Sequence, residues 1–232
     1  MSDSGQTLLR ADFSKRVVVA TRDQPWVPSP QRGVDRCMLD RIGGEVARAT
    51  SLVRYAPASR FPSHQHDGGE EFLVLDGVFS DEHGDYPAGT YVRNPPGSAH
   101  ATHTDGGCTI FVKLRQMRPD ERRRIVITTS DASLSSNSFG RSSRQLFVSP
   151  DGTETVAIEY LAPDATIPQY VCHGGEEILV LSGVFSDESG DHGPGVWLRN
   201  PDGFRNAPAS RDGCTYWVKR GHMASHSPPS SV

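Results

Sequence analysis

The 232-residue sequence has no apolar run approaching the roughly 20 residues that span a bilayer as a helix. It has no excess of positive charge either: 24 Lys and Arg stand against 28 Asp and Glu, a formal net charge of −4 at pH 7. The one basic cluster, Arg122-Arg123-Arg124, directly follows Asp120 and Glu121. No basic field is therefore available to hold nucleic acid or an anionic membrane surface. Cysteine is scarce: Cys37, Cys108, Cys172 and Cys214 form neither a CxxC pair nor a disulfide framework. The opening run Met1-Ser2-Asp3-Ser4-Gly5-Gln6 lacks the charged start and apolar core of a signal peptide. No long amphipathic helical period is present. Together these absences predict a cytoplasmic chain without helical bundles, nucleic-acid partners or membrane attachment.

Turn chemistry is what the sequence has in quantity. Its 23 Gly and 17 Pro make up about 17% of the chain, against a usual share of roughly 12%. Between the turn clusters lie short runs rich in β-branched and aromatic residues, at 50–55, 71–75, 90–93 and 109–112. The turns that separate them include Asp67-Gly68-Gly69, Asp81-Glu82-His83-Gly84-Asp85, Pro95-Pro96-Gly97 and Asp105-Gly106-Gly107. Regularly spaced short strands of this kind predict an all-β sandwich or barrel.

The chain also repeats itself. Gly68-Gly69-Glu70-Glu71 recurs as Gly174-Gly175-Glu176-Glu177, Arg93-Asn94-Pro95 as Arg199-Asn200-Pro201, and Gly107-Cys108-Thr109 as Gly213-Cys214-Thr215. Without a gap, residues 61–113 match 167–219 at 27 of 53 positions. A period this long is a duplicated domain rather than a solenoid unit. The expected organisation is an N-terminal arm at 1–24, a first domain at 25–117, a linker at 118–142, a second domain at 143–223 and a disordered tail at 224–232. Within the linker, 124–128 is a predicted strand and the Ser-rich stretch 130–138 a mobile segment.

One constellation carries chemistry. His64 and His66 are two residues apart, so on a strand both imidazoles face the same side. Glu70 follows across a Gly-Gly turn, and His100 follows the Pro95-Pro96-Gly97 turn. Three imidazoles and one carboxylate from two hairpins suit a divalent first-row metal, zinc or iron, and leave positions for water or substrate.

These residues resemble both signature motifs of the cupin superfamily: His64-x-His66-x3-Glu70-x6-Gly77, then Gly89-x5-Pro95-x-Gly97-x2-His100. The closer resemblance is to ChrR-like cupins, carried by 69–77, by 93–100 and by the ending Val218-Lys219-Arg220-Gly221-His222-Met223. It covers about 25–223 and implies two tandem jelly-roll barrels packed as a pseudo-dimer. One departure is His103, which stands where the second motif often has Asn and is either a spare ligand or a rim residue.

The second copy keeps the scaffold and loses the imidazoles: Tyr170, Cys172 and Asn206 replace His64, His66 and His100, while Glu176 replaces Glu70. Cys172, His173 and Glu176 can be read as a soft-metal site, but three ligands within five residues close poorly, and a structural role is expected. Cys37, Cys108 and Cys214 read as small buried residues. Arg93 and Arg199 read as structural because both copies keep them. Phe72 and Val74 share the parity of Glu70 and are the expected interior residues, ahead of Tyr91 and Phe111. The Asp81–Asp85 cluster reads as a solvated hairpin turn.

Three functions compete for the site. The resemblance implies a metal-binding regulator. In that family the cupin follows a small zinc module with a His-x3-Cys-x2-Cys pattern that grips a sigma factor. Only Cys37, and no histidine, precedes His64, so a sigma-factor partner would need another surface. The second function is a non-haem Fe(II) dioxygenase cleaving a small diketone or hydroxy-aromatic ketone. The third is a non-catalytic barrel for a small molecule. A homodimer is compatible with all three.

Overall fold

Alternating side chains and frequent turns give a chain whose regular elements, among the described residues, are almost all strands. The computed structural model describes residues 7–223, and the single helical element among them is a short 3-10 turn, Thr21–Asp23. The expected tail at 224–232 and the first six residues of the arm lie outside the described residues. The described residues divide into two compact units, 7–11 with 24–130 and 12–23 with 131–223.

In the first unit the main sheet runs, in spatial order, through Thr7–Leu9, Val34–Gly43, Ala47–Tyr55, Cys108–Leu114, Glu70–Asp81, Thr90–Asn94 and Ile125–Thr128. A separate two-stranded ribbon pairs His64–His66 with Ser98–His100. The second unit repeats the plan with Leu134–Ser136, Arg141–Val148, Thr155–Leu161, Cys214–Arg220, Glu176–Gly183, Val196–Asn200 and Val17–Ala20. Its ribbon pairs Tyr170–Val171 with Arg205–Asn206.

The edge strands depart from simple tandem order. Val17–Ala20 precedes the first repeat yet pairs with Val196–Asn200 in the second unit. Ile125–Thr128, from the linker, pairs with Thr90–Asn94 in the first. Each unit therefore completes its sheet with a strand that sequence order places next to the other. The Ser-rich linker stretch, expected to be mobile, contributes the strand Leu134–Ser136, paired with Arg141–Val148.

Period-2 alternation decides what each face carries. In the first unit Phe72, Val74, Val92, Ile110 and Val112 pack with Val34, Val53, Phe79, Tyr86 and Cys108 as the interior core. Phe72 and Val74 thus lie inside, as their parity requires. The intervening residues Glu71, Tyr91, Arg93 and Lys113 are also buried and are held by polar partners. Arg93 bonds Glu71 and both carboxylate oxygens of Glu121, Tyr91 donates to Glu71 at 2.8 Å, and Lys113 donates to Thr50 at 3.0 Å. Arg93 is structural, as is Arg199, which donates to the Asp12 carbonyl and lies over the Phe13 ring. All four cysteines are buried thiols.

The Gly77 of the signature has a physical cause. It sits at φ 72°, and a Cβ there would lie 2.1 Å from the Gly107 carbonyl oxygen; Gly183 repeats this at φ 71° against Gly213. Left-handed backbone costs an L-residue roughly 1–2 kcal/mol before any clash. Gly77→Ala should therefore lower unfolding free energy by about 2 kcal/mol or more in urea titrations. Gly106→Ala, at a turn with open space around it, should stay within about 0.5 kcal/mol of the parent.

Candidate metal centre

The ribbon register brings the imidazoles together. His100 pairs directly with His64, and Ser98 with His66, so the three histidines share one ribbon face while Gln65 and Ala99 are exposed on the other. Ring centroids are 4.8 Å apart for His64–His66, 5.1 Å for His64–His100 and 4.7 Å for His66–His100. Glu70, the first residue of its strand, is buried beside them. Its Oε2 lies 3.5 Å from His66 Nε2 and 3.4 Å from His100 Nε2. One ligand atom from each of the four residues falls within 4.8 Å of every other.

All four candidates are thus in one place. His103 is not among them; it sits on the strand His103–Thr104, paired to Ser80 and Arg60.

The donor atoms are already selected. His64 Nδ1 lies 3.0 Å from the Pro62 carbonyl and His100 Nδ1 lies 3.0 Å from Asp81 Oδ2, which turns each Nε2 toward the cluster. The Nε2 atoms of His66 and His100 are buried and have no hydrogen-bond partner. Buried nitrogens without a partner are costly, and an ion at this point would satisfy both. The residues therefore fit a divalent metal: three imidazoles and a carboxylate are a donor set for zinc or iron.

Electrostatics agree. Burial works to raise the Glu70 carboxyl, but His66, His100 and the Asn94 amide outweigh it and hold it down to about 2. It is a carboxylate at any ordinary pH. Burial lowers the His66 imidazole despite the pull of Glu70. At His100 burial also works downward, but Glu70 and Asp81 overcome it and raise the value.

Several supporting residues escaped the sequence argument. Asp81 is buried, not part of a solvated turn: it accepts from Tyr86 Oη at 2.7 Å and from the His83 amide at 2.8 Å as well as facing His100. The rest of that hairpin turn, 82–85, is exposed as expected. Asn94 donates to Glu70 at 3.2 Å, and Arg124 donates to Asn94 Oδ1 at 3.1 Å and to Tyr86 Oη at 2.6 Å. The sequence carried one signal for this arginine, the likeness of Arg124-Ile125-Val126-Ile127 to Arg16-Val17-Val18-Val19, and Arg16 makes the equivalent bond to Asn200 in the second unit, at 3.0 Å.

The cluster opens on a cavity of about 460 Å³ in the first unit, a size ordinary for small ligands. Val53, Tyr55, Phe61, Ile110 and Val112 give it an apolar wall. Phe61 meets His64 edge to face with centroids 4.8 Å apart. Burial, with Glu70 adding to it, raises the Tyr55 phenol, so Tyr55 keeps its proton.

The second unit answers the same buried glutamate differently. Glu176 accepts from Arg220 Nε at 2.8 Å, Asn206 at 2.8 Å, Asn200 at 3.2 Å and Tyr170 Oη at 2.7 Å. Arg220 also forks onto Glu159 at 2.7 and 3.0 Å. In register, Arg220 faces Glu176 as Leu114 faces Glu70. A guanidinium thus supplies the positive charge beside the buried Glu176. Cys172 is buried, 3.5 Å from Glu176, with its thiol pushed upward by burial and that carboxylate, while His173 is exposed. Among the described residues the first-unit cluster is the one grouping able to hold a metal.

Two outcomes are expected. Arg220→Met should destabilise the chain by about 3 kcal/mol in chemical denaturation, because it leaves Glu176 and Glu159 without their cation. Arg124→Met should weaken metal affinity by about 10- to 100-fold in a competition titration with a chromophoric chelator, as loss of outer-shell support usually does.

Comparison with known proteins adds the following. The family model described as "ChrR Cupin-like domain" matches residues 14–118 and again 122–224. No functionally curated protein is a significant sequence match. Among solved structures, a protein from Nostoc punctiforme provisionally called a dioxygenase superposes with TM-score 0.74 at 15% identity, covering 93% of this chain and 88% of its own. YlbA from E. coli gives 0.71 at 14%, covering 94% and 95%. The oxalate decarboxylase of Bacillus subtilis gives 0.63 at 10%, covering 89% and 77%; that protein has Mn(II) centres. At these identities the likeness is one of fold: both units are cupin-type barrels.

Proposed function

The chain belongs to the ChrR cupin-like family, and on that footing we propose that its first unit holds one divalent first-row metal ion and uses it on a small chelating substrate, as a non-haem iron dioxygenase does. The carrying observation is the pair of buried, partnerless Nε2 atoms of His66 and His100, converging with Glu70 and His64 beside an apolar cavity. A closed structural site has no need of such a cavity.

Bound there, an Fe(II) ion would supply a Lewis acid for a chelating enolate and a site for dioxygen. The residues around it have distinct tasks. Asp81 holds His100 with its Nε2 free, and Asn94 holds Glu70. Tyr55 keeps a proton at its phenolic oxygen, available as a hydrogen-bond donor on the cavity side. Val53, Ile110 and Val112 exclude water from that side, which strengthens every polar interaction inside. The half-buried His64 stands where the cluster meets the cavity.

A second reading has its own support. The family match, and a second unit in which Arg220 supplies the cation beside the buried glutamate, favour a zinc-holding regulator in which the metal orders the barrel. Elemental analysis of tag-free protein separates the two. About one equivalent of metal per chain is expected, abolished in His66→Ala and in His100→Ala and kept in Cys172→Ala. Iron together with oxygen uptake on acetylacetone supports the dioxygenase. Zinc without oxygen uptake, after iron reconstitution, supports the regulator. No metal after reconstitution overturns both.

A further inference from the structure

Metal chemistry leaves one cavity residue unexplained. Arg36 pairs with Val53, Val53 with Ile110, and Ile110 with Val74 across the sheet. Directly paired residues share a face, so this arginine stands on the interior side of the sheet, in a row that is otherwise apolar core. It lines the same cavity as His64, His66 and Glu70.

Its charge is poorly met from within the unit. The side chain is 21% exposed, and its Nε is buried without a hydrogen-bond partner. The carboxylate nearest to it, Glu45, is 3.7 Å away, beyond hydrogen-bond distance, and 72% exposed. Burial and the like charge of Arg36 both lower the nearby Arg41 guanidinium, so an anion at Arg36 would relieve a repulsion as well as fill a donor. Arg115, the other cation of the cavity, lies at the rim and is already paired with Asp67 at 3.4 Å.

A guanidinium matches a carboxylate through two parallel N–H bonds, a geometry that lysine lacks. Left unmet on an apolar wall, the same donors are costly. We propose that the ligand of this cavity is a small carboxylic acid carrying a chelating pair of oxygens. The metal cluster takes the chelating end and Arg36 takes the carboxylate. This rests on the metal reading above and adds the substrate class to it.

The test uses the full metal-loaded chain and two probes, acetylacetone and succinylacetone. The second is the same diketone extended by a carboxymethyl tail. Calorimetric titration should show succinylacetone binding about tenfold or more tightly, the ordinary gain from a charge-assisted hydrogen bond. In Arg36→Met with its metal content intact, that preference should fall to within about twofold. Arg36→Lys should keep part of it. Equal binding of the two probes to the parent chain, or an undiminished preference in Arg36→Met, overturns the inference and leaves the metal reading standing. Protein that takes up no metal at all overturns the metal reading, and the inference with it.

Discussion

A buried glutamate at the first position of a central strand is the constraint around which each unit is built. Glu70 and Glu176 occupy equivalent places, and both are withdrawn from water. A carboxylate so placed is tolerable only if positive charge or several donors meet it. The second unit meets it from inside the chain, with Arg220, two asparagines and a tyrosine. The first unit has Leu114 in place of the arginine and offers three imidazoles and one amide. Its charge balance is completed by the ion we propose. Each barrel thus faces the same electrostatic problem, which the second meets with a side chain and the first, on this proposal, with a ligand.

The supporting interactions follow from how the edge strands are assigned. Arg124 precedes the strand that completes the first sheet and reaches Asn94, which in turn holds Glu70. Arg16 precedes the corresponding strand of the second unit and reaches Asn200, which holds Glu176. The arrangement persists where the imidazoles have gone, so its primary role is to tie the added strand to the sheet beneath the glutamate. In the first unit the same arginine also reaches Tyr86, and Tyr86 reaches Asp81 behind His100. A scaffold contact there doubles as support for two of the four ligand residues.

What the sequence made legible was local. His64-x-His66 reads as one strand face and the duplication as two barrels, because each depends on residues close in the chain or on a visible repeat. The resemblance of 69–77 and 93–100 to cupin motifs extended this to His100. The missed residues depend on register between distant strands. Arg220 faces Glu176 across a ladder with a bulge in it, so counting along either strand cannot reveal the pair. Asp81 looked solvated because its neighbours 82–85 are, yet it ends a strand whose last residues turn inward. Arg36 follows an apolar alternation inward despite its charge, and only the pairing with Val53 reveals it.

The two ribbons differ in a way that bears on what the metal does. In the second unit the ribbon is bound to the sheet by Tyr170 and Asn206, both bonded to Glu176. In the first, the corresponding contacts are histidine to carboxylate at 3.4 and 3.5 Å, with the two Nε2 atoms otherwise unmet. An ion at that point would join ribbon to sheet as Tyr170 and Asn206 do, and its binding energy would become folding energy for this part of the unit. On the metal reading an ordering role would accompany catalysis rather than exclude it. The same four donors that order the ribbon would hold the ion beside the cavity, and the unmet charge of Arg36 would give that cavity a preference among the ligands able to enter it.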